Sequence, residues 1–166
     1  MYAVAFSFGG IPLIYMGDEL AVRNDTRWAQ DQAHEHDNRW MHRPRMDWAV
    51  AARRHDPDSL EGRMFAAIRA MSDARRSLLA LRAGGSTEIL PTETPSVLAY
   101  RRVHPRSTPF LALTNFSDVT SWPDAGIIAR AGLREPAHVH STTGKLTISA
   151  ARIELPPWSF VWLTGA

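Results

Sequence analysis

Residues 37–44 read DNRWMHRP, and they place costly side chains in the least periodic stretch of the sequence. Arg39 carries a permanent, planar guanidinium that can hold a carboxylate through two parallel hydrogen bonds. Trp40 beside it offers a ring that restrains its neighbour when packed, and His42 adds a titratable imidazole. Asp18 and Glu19 are adjacent carboxylates, suited to acid/base work or to accepting backbone N–H groups at a helix start. His34, Glu35, His36 and Asp37 have the residue types of a metal cluster. Alternate residues of an extended chain point apart, however, and no second ligand group has recognisable spacing, so a solvated loop is the reading and no metal is expected. His55 and Asp56 are followed by Pro57 and a helix start, which makes them a turn.

These groups need elements to hold them. Residues 2–8 are small and apolar, like the end of a buried helix, and Gly9–Gly10 can supply its left-handed stop. IPLIYMG follows as a short strand apolar on both faces, the pattern of a parallel strand covered on both sides. Asp18 and Glu19 would then lie at that strand's C-terminal end, where α/β barrels keep their chemistry. The stretch from Ala21 to Asp56 has no period and far exceeds the roughly 12–15 residues of an ordinary connection, which marks a functional loop. Its Trp28, Trp40 and Trp48 could fold it onto a neighbour. Asp58, with Glu61 three residues on, has capping-box spacing, and Leu60, Met64, Ile68, Met71 and Leu78 give one apolar helix face as far as residue 82.

Beyond Gly84–Gly85 the period changes to two. STEIL, SVLAYRRV, FLALTNF, HVHS, KLTIS, RIELP and SFVWLTG are short β-branched or aromatic runs, which predict an antiparallel β-sandwich. The predicted division is 1–85 and 86–166. Asn115–Phe116–Ser117 matches a glycosylation sequon, but it sits in a predicted strand with Phe116 expected in the core, so the match is taken as chance. Of three late tryptophans, Trp162 alternates inward, while Trp122 and Trp158 are candidates for an exposed platform.

The bulk numbers exclude several classes. The 166 residues carry 19 basic and 17 acidic groups, a formal net charge of +2. Lys145 is the one lysine, and the acids are interspersed among the arginines rather than leaving a basic stripe, so nucleic acid is not an expected partner. There is no cysteine, hence neither disulfide framework nor thiolate chemistry. No apolar run approaches the ~18 residues of a membrane span, and the opening segment lacks the basic start of a signal peptide. No membrane partner and no cofactor are expected. The compartment is read as cytoplasmic, with secretion left open.

With these residues in view, GGIPLIYMGDEL resembles the eighth strand and following loop of the α-amylase superfamily of glycoside hydrolases. NDTRWAQD, DNRWMHRP and RRHDPDSLEG together are similar to the amylosucrase family, and the tail with ALTNFSD and FVWL resembles its C-terminal sandwich. The resemblance implies a fold that is α/β plus all-β: the last strand and helix of a (β/α)8 barrel, then the antiparallel sandwich. It implies a retaining transglucosidase that moves glucose from sucrose to an α-1,4-glucan, with paired carboxyls ~5–5.5 Å apart. Those acids follow strands four, five and seven, which would precede Met1, so this segment is expected to hold no catalytic residue and to work with the N-terminal barrel portion of a parent chain. Arg39 matches the arginine that closes the glucose pocket by pairing with a carboxylate from an earlier loop. Trp40 and His42 would buttress it, and Asp18 and Glu19 would support the pocket. The other readings are a non-catalytic carbohydrate-binding or structural sandwich module, and a sucrose hydrolase of the same superfamily.

Overall fold

The period-two runs after Gly85 become a hydrogen-bonded ladder. The computed structural model describes residues 1–142 and 145–165, the side chains at 138 and 139 excepted. Strands β1 (Ser86–Leu90), β2 (Val97–Val103), β3 (Phe110–Asn115), β4 (Pro136–Ser141) and β7 (Phe160–Gly165) form one sheet in the order β1-β2-β3-β7-β4. Every neighbouring pair is antiparallel, with a bulge in β4 between His138 and His140. β3 is central and buried along its whole length.

Alternation assigns the two faces. Leu111 and Leu113 of β3, Val161 and Leu163 of β7 and Val97 and Ala99 of β2 point one way. They pack with Ile127 and Ile128 of the short helix α4 (Gly126–Arg130) and with Ile153 and Leu155. This layer is thinner than the predicted sandwich. KLTIS and RIELP shrink to β5 (Ile148–Ser149) and β6 (Arg152–Ile153), a two-stranded hairpin. α4 and isolated bridges at Ser121–Leu155 and Asp124–Arg152 complete the cover. A small helix fills area that a second full sheet would otherwise have to bury.

The opposite face carries Tyr100, Arg102, Phe110 and Trp162, all buried. Phe110 meets Trp162 edge-on at 5.8 Å, an arrangement the ring quadrupoles favour. Helix α1 (Tyr2–Ser7) docks here, as its apolar sequence predicts. Ser7 Oγ contacts the Tyr100 hydroxyl, and Phe8 packs edge-on against the Tyr100 ring. Arg102 is the clamp of this face. Its Nε donates to Ala80 O (3.2 Å), Nη1 to Phe8 O (3.2 Å) and Thr87 Oγ1 (2.9 Å), and Nη2 to Arg82 O (3.1 Å). Gly9 follows at φ +148°, and a Cβ there would stand 2.8 Å from Arg102 Nη1. The glycine therefore stops the helix and makes room for the guanidinium.

The contacts divide the chain into two compact units, residues 1–12 with 71–166, and residues 13–70. Gly85 lies inside the first. In the second unit, the expected strand over residues 11–16 does not form: its backbone joins no ladder, and Leu13, Tyr15 and Met16 are exposed. A run apolar on both faces needs strands on either side, and none stands beside it. Hydrogen exchange should therefore separate the segments: amides 11–14 exchange freely while Leu111–Leu113 are protected to the level of global unfolding. Strong protection at residues 11–14 in a monomer would contradict this.

The span 21–56 is not structureless either. Single 3₁₀ turns occupy Trp28–Gln30, Asn38–His42 and Arg53–His55, and α2 covers Trp48–Ala52. Asp47 caps α2, accepting from Ala49 and Val50 N–H. Helix α3 runs Leu60–Ser77. Its cap is Ser59 rather than Asp58: Ser59 Oγ accepts Gly62 N–H at 2.9 Å and donates to Asp56 O at 2.8 Å. Gly62 is dictated by that turn, since a Cβ would lie 1.8 Å from Asp56 O. Asp56 holds the preceding loop, accepting Asp58 N–H, so His55–Asp56 is a turn as the sequence predicts. Among the described residues no helix is long and apolar enough to cross a membrane.

Candidate functional site

The second unit brings together most of the residues singled out in the loop. Its organising pattern is a repeat, D-x-R-W, at Asp25–Trp28 and again at Asp37–Trp40. In each copy the aspartate Oδ1 accepts the N–H of the arginine two residues on, at 2.8 Å for Asp25–Arg27 and 3.0 Å for Asp37–Arg39. Such Asx turns start both 3₁₀ turns. Asp25 N–H donates to Met41 O at 2.8 Å, tying the copies together. The repeat was open to sequence reading, yet it went unread because attention fell on the second copy alone.

Arg39 is exposed, and its fork is occupied within the loop. Nε donates to Asp37 Oδ1 (2.7 Å) and Nη2 to Asp37 Oδ2 (2.7 Å). The sequence reading sets the arginine's partner on a different segment; here Asp37 takes that place, two residues away. The Arg39 guanidinium beside Asp37 holds its carboxyl at about 2, against an ordinary 3.8. The sign is that of a depressed acid: the pair is intact above the ordinary value and is lost as pH falls toward 2. Nη1 takes no part in this pair, so Arg39 keeps donors for a second carboxylate or a hydroxyl.

Trp40 does not lean on Arg39. Its ring stacks on His34 at 3.9 Å and 24°, and His34 is itself held by Asp31 at 3.1 Å. His36 lies 3.3 Å from Glu35 and is exposed, so the four-residue run does not converge. Among the described residues no three such side chains gather as metal ligands would. His42 ends the turn, exposed. Asp18 and Glu19 fold their own turn: Asp18 Oδ2 accepts Tyr15 N–H at 3.1 Å and Glu19 Oε2 accepts Gly17 N–H at 3.0 Å. Gly17 makes this possible with φ +98°. The two carboxylates position backbone rather than face a cavity.

Beside the stack opens a cleft of about 480 Å³, lined by Arg27, Trp28, His34, Trp40, Arg43 and Arg45 with Asp25 and Asp31. Arg43 also sits over the Tyr15 ring at 5.9 Å, a cation–π contact. Arginines, carboxylates and exposed indole together are the means by which proteins grip polyhydroxylated ligands: donors and acceptors for hydroxyls, and a flat apolar face.

No protein-family model matches the sequence. Solved structures do. A variant of trehalulose synthase MutB in complex with the substrate sucrose is similar over 98% of this chain and 37% of its own, with a TM-score of 0.67 and 17% identity. MutB from Pseudomonas mesoacidophila MX-45 gives a TM-score of 0.66 at 16% identity over the same shares. Eubacterium rectale Amy13B gives 0.59 at 14% identity, over 98% of this chain and 32% of its own. What is shared is a fold. The chain spans little more than a third of the length of these proteins.

Two expectations about the β region resolve here. Trp162 is wholly buried in the sheet, as alternation predicts, while Trp122 and Trp158 are exposed. Phe116, expected in the core, is exposed, and Asn115 beside it is buried. Asn115 Nδ2 donates to the carbonyls of Val119, Leu155 and Pro156, and Oδ1 accepts from Ser117 N–H, Ser117 Oγ and Ser121 Oγ. The sequon residue is a structural hub, with its amide spent on the fold.

Proposed function

We propose that this chain is the C-terminal part of an amylosucrase-like enzyme of the α-amylase superfamily. The parent would transfer glucose from sucrose to an α-1,4-glucan by a retaining mechanism, with residues 1–85 closing its barrel and residues 86–166 forming its C-terminal domain. The observation that carries the reading is the fold shared over 98% of the chain with a trehalulose synthase that takes sucrose as substrate. The D-x-R-W loop supports it, because it presents Arg39 exposed, with its fork oriented by Asp37 and Nη1 to spare. In this reading Arg39 binds the glucose unit of sucrose or a carboxylate lining its pocket. Trp40 is a supporting wall held by His34. His42, Asp18 and Glu19 shape the loop, and the proton-transferring and nucleophilic carboxylates come from the rest of the parent.

A second reading, a sucrose isomerase, is favoured by the same neighbours, which are named trehalulose synthase. A sucrose hydrolase is the third. Products decide among them. The parent enzyme given sucrose alone is expected to release fructose while a glucan grows. Trehalulose as the main product would replace the proposal by the isomerase reading, and equal free glucose and fructose by the hydrolase. The 166-residue chain by itself is expected to release no fructose. Reproducible release would mean that carboxylates within it, Asp18 and Glu19 first, are catalytic.

A further inference from the structure

The segment Ser121–Asp124 alternates in burial: Ser121 and Pro123 are buried, Trp122 is 44% exposed, and Asp124 is half-buried. The segment is extended, pinned by the bridges at Ser121–Leu155 and Asp124–Arg152. Side chains two apart in extended chain share a face, so the Trp122 indole and the Asp124 carboxylate both look outward. Asp124 is fixed there. Its Oδ1 accepts Gly126 N–H at 3.1 Å, and its Oδ2 accepts from Arg130 Nη1 at 3.2 Å. These bonds hold its carboxyl below the ordinary carboxylate range. Asp124 and Arg130 line one wall of a cleft of about 290 Å³, with Ile127 and Pro123 beside them. Thr92 and Glu93, from the β1–β2 turn, form the other wall.

We propose that this cleft is a binding site for a glucopyranosyl unit of a gluco-oligosaccharide, separate from the D-x-R-W loop. Two carboxylates and a guanidinium supply the alternating acceptors and donors that a vicinal diol needs, already oriented by their own ion pair. The indole supplies a flat apolar surface for the C–H face of the ring, and an aromatic platform costs little side-chain entropy because it has only two rotatable angles. The cleft volume lies at the lower end of the ~300–1,000 Å³ typical of small-ligand sites, which suits one or two sugar rings rather than a long enclosed chain. Binding is expected to be weak and surface-like, with the oligosaccharide running past the cleft. The site stands whether the parent isomerises sucrose, hydrolyses it or builds glucan.

The test is titration of the 166-residue chain with maltoheptaose, followed through the Trp122 indole N–H in ¹H–¹⁵N spectra, with mannitol as an acyclic polyol control. A saturable shift with maltoheptaose and none with mannitol is expected. Trp122→Ala and Asp124→Asn should each weaken binding roughly tenfold, the loss of one good contact; for Trp122→Ala the backbone amide of Asp124 becomes the reporter. Asp124→Asn keeps the acceptor for Gly126 N–H, so the turn should survive, and unchanged dispersion of the remaining resonances would show it. Trp158→Ala, an exposed tryptophan outside the cleft, should bind like wild type. An unsaturable or absent response, an equal response to mannitol, undiminished binding by folded Trp122→Ala, or loss of binding in Trp158→Ala would each overturn the proposal. The product assay on the parent fails or succeeds independently.

Discussion

Arg102→Met is expected to lower the melting temperature of the chain by roughly 10 °C. The guanidinium is buried and reaches three backbone carbonyls and one hydroxyl on three separated segments. Methionine fills much of the volume but donates nothing, and a buried acceptor left without a donor costs ~1–3 kcal/mol. Three carbonyls are at stake, with some relief from water and from Thr87, whose hydroxyl also reaches Phe8 O. A loss of about 3–5 kcal/mol follows, and each kcal/mol moves the midpoint of a domain of this size by ~2–4 °C. Arg102→Lys should recover only part, because one ammonium cannot span sites that the planar fork reaches at once. Arg106, exposed in a turn, is the control: Arg106→Ala should stay within about 0.5 kcal/mol of wild type. Thermal melts of the three variants decide it. An Arg102→Met midpoint within 2 °C of wild type, an interval set by the ~2–4 °C per kcal/mol scale, would show the clamp to be incidental.

The second large effect is on activity. In the complete sucrose-acting enzyme, Arg39→Ala is expected to cut sucrose turnover by about 10²-fold or more, the scale of a lost positioning contact in an active site. The same substitution in the 166-residue chain should leave the melt unchanged, because the Asp37–Arg39 pair is exposed and such pairs contribute little. The contrast carries the argument: a residue that matters to turnover without mattering to this chain's folding is a ligand-facing one. Arg39→Lys should rescue poorly, since an ammonium cannot make the two-point contact. Asp37→Asn should fall between wild type and Arg39→Ala, since it loosens the fork but keeps the charge. Sucrose-consumption kinetics on the variants test this, and near-wild-type kinetics for Arg39→Ala would make it an ordinary loop arginine.

What the sequence made legible divides along physical lines. β1, β2, β3 and β7 were readable because alternation is local, and burial of one face or the other is written into every second residue. IPLIYMG was misread for the converse reason: its composition says only that it could be a covered strand, and whether neighbours cover it is not a local property. The helix cap slipped one residue, from Asp58 to Ser59, because both types can accept an N–H bond and only the turn geometry at Gly62 distinguishes them. Arg102 shows how a contradiction could have been used. In AYRRV, alternation puts it on the same face as Tyr100, so an arginine was being sent inward, and a buried arginine demands a ring of acceptors. Asn115 carried the same signal, a fully polar side chain in an apolar strand, hidden by its coincidence with a sequon. Arg39 and Trp40 were found by residue type. Their actual partners, Asp37 and His34, were within the quoted stretch but depended on turns that propensity does not specify.

The acceptors around Arg102 have a consequence for the pH range of the first unit. Carbonyl and hydroxyl oxygens do not titrate, so acid that protonates Asp37 leaves the docking of α1 on the sheet untouched. The vulnerable partner is the other one on that face. Burial pushes the Tyr100 phenol up to about 12 from an ordinary 10, with Ser7 and Arg102 opposing the rise. A phenol raised in this way lends stability that is complete below the ordinary value and drains away as pH climbs through the raised one. The sheet and its docked helix are thus built to come apart from the alkaline side, while the loop that presents Arg39 loses its internal pairing from the acid side. Two halves of one short chain answer to opposite ends of the pH scale.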